Sequence, residues 1–134
     1  MTAKTIAYWA TTGLLSLALF GSGLGKLTQQ EPLVQSMEHL GFPLYLMTIL
    51  GVWYVGAAIA LMAPGLARVK EWAYAGIVFA MTGAFASHLF AGDGVAMAAP
   101  TLVLTALAIG SYWLRPATRQ LGATSASEPV RLAA

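Results

Sequence analysis

Four stretches of the chain contain no Asp, Glu, Lys or Arg, and they constrain the fold more than any other feature. These apolar runs lie at residues 6–24, 43–62, 72–90 and 95–114. Each is long enough to cross a hydrocarbon core about 30 Å thick as a helix. Only 9% of the residues are charged and 58% are hydrophobic, so one small core cannot bury the apolar surface in water. The pattern predicts an all-α integral membrane protein, a four-helix bundle with up-down topology.

The runs define one predicted membrane domain, residues 1–116, followed by a tail, residues 117–134, that we interpret as mobile and cytoplasmic. Two points stay open. The first run also fits a cleaved signal peptide, although it exceeds the usual apolar core of about 7 to 15 residues. The fourth run contains Pro100, which either begins the helix or kinks a helix that begins earlier.

The distribution of basic residues predicts the orientation. In a four-span chain most of them share one side, and only Lys26 lies on the other; the shared set is Lys4, Arg68, Lys70, Arg115, Arg119 and Arg131. Basic residues near span ends are retained in the cytoplasm. We therefore expect a multi-pass protein of the cell membrane with both termini cytoplasmic and the lipid bilayer as its surroundings. The net charge is only +2, and the Lys and Arg residues are spread along the chain without forming a basic patch. This distribution argues against a nucleic-acid partner.

The residues that several types of chemistry require are absent from this sequence. The chain has no cysteine, which excludes thiol-disulfide exchange within it. No metal-ligand spacing, nucleotide-binding loop or nucleophile-base set is recognisable, so we assign no metal site and no catalytic residue. Whether the chain is an enzyme stays open.

Small and aromatic residues predict how the helices pack. Gly21 and Gly25, at the end of the first run and just after it, and Gly76 and Ala80 in the third run permit close helix contacts in lipid. We expect these contacts within one chain, with a homo-oligomer as the alternative. Tyr54, next to Trp53, lies in the middle of a run rather than at its end. Because a buried Tyr hydroxyl needs a partner, this pair is expected to line a cavity.

Polar side chains concentrate at the predicted extracytoplasmic end. We expect Lys26 to pair with Glu38 or Asp93, and a histidine beside a carboxylate can hold or relay a proton near neutral pH. Ionisable groups at membrane depth usually face the bundle interior, which singles out His88. Ordinary polar loops and structural hydrogen bonds are the alternative interpretation. The candidate ligand-binding residues are Lys26, Glu38, His39, Tyr54, Ser87, His88 and Asp93.

Several short motifs resemble one known family. They are Lys26-Leu27, residues 39–43 (HLGFP), residues 70–76 (KEWAYAG), residues 87–89 (SHL) with Gly92-Asp93, and residues 112–116 (YWLRP). In this order they resemble the DoxX-like family of small four-helix membrane proteins. The resemblance implies a DoxX-type bundle associated with membrane redox systems. The chain departs from those members that carry an acidic residue within helix two, where it has Tyr54, and within helix three, where it has Ala80, so no intramembrane acid chemistry is carried over.

The residues and the resemblance together give two main functional hypotheses. The first is an accessory subunit of a quinone-linked or oxidative-stress redox system, with redox partner proteins and a pocket for a quinone at the extracytoplasmic end. The second is a non-catalytic scaffold that docks partners through that end and through residues 68–71. A small proton-coupled transporter is less favoured, because every Asp and Glu lies outside the runs and such exchange depends on a membrane-embedded carboxylate.

Overall fold

The computed structural model describes residues 1–122, and the regular secondary structure in that range is helical. Five α-helices follow one another: α1 (Ala3–Leu27), α2 (Glu31–His39), α3 (Leu44–Met62), α4 (Ala67–Phe90) and α5 (Val95–Leu114). A short 3₁₀ turn, Ala117–Arg119, follows α5. The predicted all-α class is therefore confirmed over the described residues. Most of the predicted tail, residues 123–134, lies outside them.

Three helices in this range, α3, α4 and α5, are long and apolar enough to cross a membrane. They support the prediction of a membrane protein with transmembrane helices. α1 has 25 residues but is not among the three, since Thr, Ser and Gly dilute its apolar side chains. Two of these hydroxyls have partners inside the protein. Thr12 shares a hydrogen bond of 2.6 Å with Ser111 of α5, and Thr11 donates to the Ala7 carbonyl oxygen at 2.9 Å.

The bounds of α3 and α5 follow their apolar runs closely, α1 extends three residues beyond its run at each end, and α4 differs most. This helix begins at Ala67 rather than at residue 72, so Arg68, Lys70 and Glu71 belong to its first turns. Charged side chains suit this position because a helix end can reach the interface. α5 covers residues 95–114 and begins before Pro100, which lies inside it. Of the two starts considered for this helix, the structure has the earlier one.

α2 lies in a polar stretch for which no helix was predicted. Its apolar residues Leu33 and Met37 are four apart and share one face, and Met37 is buried. Leu33 contacts α1 closely, since a Cβ added to Gly25 would lie 2.9 Å from its Cδ1. α2 therefore folds back over the end of α1 and covers one end of the long helices.

The long helices share one apolar core. α1 lies against both α3 and α5, and α4 lies against the same two helices. All four contribute buried side chains to the core: Leu15, Leu19, Tyr54, Ala58, Leu61, Tyr74, Ile77, Met81 and Ala108. This arrangement leaves two distinct ends, which we call the His39 end (near the C-terminus of α2) and the Arg115 end (near the C-terminus of α5).

A close contact between α1 and α3 depends on Gly23 and Gly51. A Cβ on Gly51 would lie 2.9 Å from Leu27 Cγ and 3.0 Å from the Gly23 carbonyl oxygen. The glycines predicted for close packing behave differently from one another. Gly25 meets α2, whereas added Cβ atoms on Gly21 and Gly76 would meet nothing within 4 Å. The close contact between α1 and α3 thus depends on Gly23 and Gly51, which are not among the glycines predicted for close packing.

We expect Gly51→Ala to destabilise the protein, because the new methyl group would push against the backbone of α1. Overpacking of this kind costs about 1–3 kcal/mol. The matched control is Gly110→Ala in α5, where a Cβ meets nothing within 4 Å and the change should stabilise the helix by up to about 1 kcal/mol. Thermal unfolding in detergent measures both. Equal melting temperatures for the two variants would contradict the close α1–α3 contact.

Candidate functional site

Two histidines share one carboxylate at the His39 end. His39 Nε2 lies 2.8 Å from Asp93 Oδ1, and His88 Nδ1 lies 2.7 Å from Asp93 Oδ2. His39 ends α2, His88 lies in the last turn of α4, and Asp93 follows in the loop before α5. The loop turns at Gly92, with φ of +83°, and the Asp93 N–H donates to the His88 carbonyl oxygen at 2.9 Å. We call these three side chains the His39 clasp.

The clasp keeps its carboxylate ionised. Hydrogen bonds from His88 first, and from His39 second, lower the pKa of Asp93 below its ordinary value of 3.8. Each histidine needs only one N–H for its bond, so a neutral imidazole in the right tautomer still donates. The clasp therefore ties α2 to the α4–α5 loop whether or not its histidines are charged. Within residues 1–122, no group of three or more His, Asp and Glu side chains is arranged to hold a metal ion.

Lys26 lies apart from the clasp and beside Tyr54. Its Nζ donates to Ser22 Oγ at 2.8 Å and lies 4.9 Å from the centroid of the Tyr54 ring. Among the described residues it forms no ion pair with Glu38 or Asp93, so neither of the pairings predicted for it occurs. Lys26 therefore forms a cation–π contact that connects α1 to α3.

The other two candidate residues join neither group. The Glu38 side chain is exposed and forms no ion pair in the described part of the chain. The Ser87 hydroxyl donates to the carbonyl oxygen of Gly83, one turn earlier in α4, at 2.9 Å. The seven candidates thus divide into the His39 clasp, the Lys26–Tyr54 pair and two separate residues.

Tyr54 lines an apolar groove between α3 and α4 with a volume of about 890 Å³. Its side chain is only 9% exposed, and its hydroxyl has no hydrogen-bond partner among the residues that the structure describes. Trp53 also lines the groove, so the predicted placement of this pair beside a cavity agrees with the structure. The remaining lining is apolar: Leu50, Val52, Gly56, Ala57, Ala60, Val69, Trp72, Ala73, Gly76, Ile77, Phe79 and Ala80. The groove therefore combines one free polar group with a long hydrophobic surface.

A buried hydroxyl network lies toward the Arg115 end. Ser111 Oγ of α5 lies 2.6 Å from Thr12 Oγ1 of α1 and 2.6 Å from the Tyr74 hydroxyl of α4. The sequence analysis did not identify these residues as a group. Their signal is weak, since three isolated polar residues in apolar runs meet only when three helices are in register. Because all three are buried and bonded to one another, their role is structural.

Charged side chains complete the Arg115 end. Arg115 forms an ion pair with Glu71 at 2.8 Å, and its guanidinium carbon lies 4.2 Å from the Tyr112 ring centroid. Lys70 donates to the carbonyl oxygens of Ala63 and Gly65 at 2.6 Å and 2.5 Å. From the sequence, Lys70 and Arg115 serve as markers of topology. The structure shows that they also bind the ends of α3, α4 and α5 together.

Arg119 follows α5 and returns to the Arg115 end. It donates to the carbonyl oxygens of Leu61 and Met62 at 2.9 Å and 3.1 Å, and to the Tyr8 hydroxyl at 3.1 Å. Through these bonds the first residues after α5 contact the C-terminus of α3 and the N-terminal part of α1. This part of the predicted tail is therefore bonded to the helices.

The fold and these polar clusters define a small helical membrane protein whose charged groups lie at the ends of apolar helices. The model of the DoxX-like family matches residues 10–111, from α1 into α5. The match covers more than half of the chain, and the chain belongs to the DoxX-like family. The resemblance inferred from the short motifs is thereby confirmed. Comparison with curated proteins and with solved structures gave no match.

The clasp predicts how stability depends on acid. Because the folded-state pKa of Asp93 is lowered below 3.8, its contribution is fully present above that pH and is lost as pH falls through the lowered pKa. Asp93→Asn should lower the melting temperature at neutral pH and remove this part of the acid-dependent loss. Thermal unfolding of both proteins in detergent, from neutral to acidic pH, measures the difference. Parallel curves with the same melting temperatures would contradict the clasp.

Proposed function

We propose that the chain crosses the cell membrane four times with up-down topology, and that α1 is the additional span. Its 25 residues rise about 37 Å as a helix, which exceeds the hydrocarbon thickness. The proposed cytoplasmic side is the Arg115 end, because most basic residues lie there and such residues are retained in the cytoplasm. Both termini would then be cytoplasmic.

Single cysteines test this topology cleanly, because the chain has none of its own. Ala117→Cys at the Arg115 end and Gln35→Cys on α2 both replace exposed residues. A membrane-impermeant maleimide added to intact cells should label Gln35→Cys, and should label Ala117→Cys only after permeabilisation. Labelling of both variants, or of Ala117→Cys alone, in intact cells would contradict the four-span topology.

We propose that the protein binds a small amphipathic molecule with a carbonyl oxygen, such as a quinone, in the groove between α3 and α4. In this proposal it acts as an accessory subunit of a membrane redox system, and its partner proteins carry the electron transfer. The redox role follows the family resemblance. The single observation that carries the ligand is Tyr54, a nine-tenths buried side chain whose hydroxyl has no partner in the described part of the chain.

The size and lining of the groove support an amphipathic ligand. Its volume of about 890 Å³ lies within the range of about 300–1,000 Å³ typical of small-molecule sites. Trp53, Trp72 and Phe79 line it and remain largely exposed, so the groove opens toward the surroundings of α3 and α4. A hydrophobic molecule would therefore enter from the bilayer and lay its apolar chain along the two helices.

The polar atoms near Tyr54 support a carbonyl group on that ligand. An unpaired hydroxyl is costly in an apolar environment, and a carbonyl oxygen accepts its hydrogen bond. The Lys26 ammonium above the ring draws electron density from the phenol, which makes the hydroxyl a better donor. An amphipathic molecule with a carbonyl head and an apolar tail matches this combination better than a purely hydrocarbon one.

The His39 clasp is a weaker place for the ligand, although the sequence directed attention to that end. Asp93 already accepts from both histidines, so its carboxylate is engaged within the chain. The alternative function, a scaffold that docks partner proteins through residues 68–71, has a similar difficulty. Lys70 and Glu71 are engaged within the chain, which leaves Arg68 as the exposed charge of that segment.

Quenching of tryptophan fluorescence by a short-chain quinone tests the proposal. Tyr54→Phe should weaken binding about tenfold, equivalent to about 1.4 kcal/mol, because one hydrogen bond is lost. The matched control is Tyr45→Phe, which changes an exposed tyrosine of the same helix that lies outside the groove lining. No saturable quenching of the wild-type protein, or the same affinity in both variants, would contradict this site.

A further inference from the structure

A second groove lies on the opposite side of α3, where this helix meets α1. It has a volume of about 580 Å³ and shares no lining residue with the groove at Tyr54. One wall comes from α1 and the other from the C-terminal half of α3; the lining residues are Gly13, Ser16, Leu17, Phe20, Ala58, Ile59, Met62 and Ala63. In a membrane this face meets either lipid or another protein helix.

Ser16 distinguishes this groove from an ordinary lipid-facing surface. Its side chain lines the groove and is only 6% exposed, yet its hydroxyl makes no hydrogen bond with any residue that the structure describes. A buried polar group without a partner is unusual, and a hydrocarbon chain offers it no acceptor. Rotation about χ1 turns a serine hydroxyl among its staggered positions, so an acceptor on a helix seated in the groove would satisfy it.

The glycines on α1 also favour a helix as the occupant. A Cβ atom added to Gly13 or to Gly21 would have no neighbouring atom within 4 Å, so packing within the chain does not require glycine at either position. Glycine weakens a helix relative to alanine, whereas it allows the backbone of a second helix to approach closely. Leu17 lies midway between them and is 72% exposed. On this face of α1, the open positions at Gly13 and Gly21 thus lie on either side of the projecting Leu17 side chain.

We infer that this groove is the interface between two copies of the chain, with α1 of one copy against α1 of the other. Copies inserted in the same orientation are related by a twofold axis along the membrane normal, so their α1 helices run parallel. A twofold interface must be complementary to itself. Here Leu17 of each copy would project beside the open glycine positions of the other, and the two Ser16 hydroxyls, close to the axis, would bond to each other.

Disulfide cross-linking in native membranes tests the dimer, since the chain contains no cysteine. Under mild oxidation, most of a Leu17→Cys variant should form a covalent dimer. The matched control, Val103→Cys on α5, also replaces a largely exposed aliphatic residue and should remain monomeric. Two cysteines form this bond only when their Cα atoms lie within about 7 Å.

A second substitution separates the dimer from chance collisions. A Cβ added to Gly13 meets nothing within 4 Å in its own chain, and the rest of a leucine side chain there would extend into the groove. In the Leu17→Cys background, Gly13→Leu should therefore reduce the dimer at least fivefold. Ser16→Ala should reduce it more weakly. Equal cross-linking at positions 17 and 103, no effect of Gly13→Leu, or a product heavier than two copies would overturn the inference. Quinone binding at Tyr54 should be unchanged by Gly13→Leu, so failure of one proposal leaves the other standing.

Discussion

Hydrocarbon surroundings cannot satisfy a polar group, and this constraint explains where the polar side chains of the protein lie. The surface is apolar to an extent that water would not permit: Phe90 is 93% exposed and Phe79 is 75% exposed. Polar groups on the apolar helices must therefore find partners within the protein. Arg115 with Glu71, and Tyr74 with the hydroxyl network, are two examples.

The same constraint makes the polar groups that lack a hydrogen-bond partner informative about binding. Tyr54 and Ser16 are both nine-tenths buried, and each lines a separate apolar groove. A hydroxyl without a hydrogen-bond partner costs free energy in such surroundings, and a ligand or a second chain that supplies an acceptor would stabilise it. The two grooves lie on different faces of α3, and this separation allows a small molecule and a second copy to bind at once.

Much of the fold could be predicted from the sequence because charge-free runs correspond closely to helices in an apolar solvent. The runs could not show that α4 begins at Ala67, since charged residues are compatible with a helix end at the interface. For the site, the sequence grouped Lys26, Glu38, His39, His88 and Asp93 at one end, and the structure brings His39, His88 and Asp93 into contact. It could not decide that Lys26 lies apart from them, because that depends on how α2 folds back over α1 and on the register of α1 against α3.

The account rests most directly on the claim that Tyr54 marks an occupied site. Mass spectrometry of the protein purified from native membranes under mild detergent would identify what the groove holds. The account predicts about one carbonyl-bearing amphipathic molecule per chain in the wild-type protein and much less in Tyr54→Phe. Recovery of phospholipid alone, in equal amount from both proteins, would contradict it.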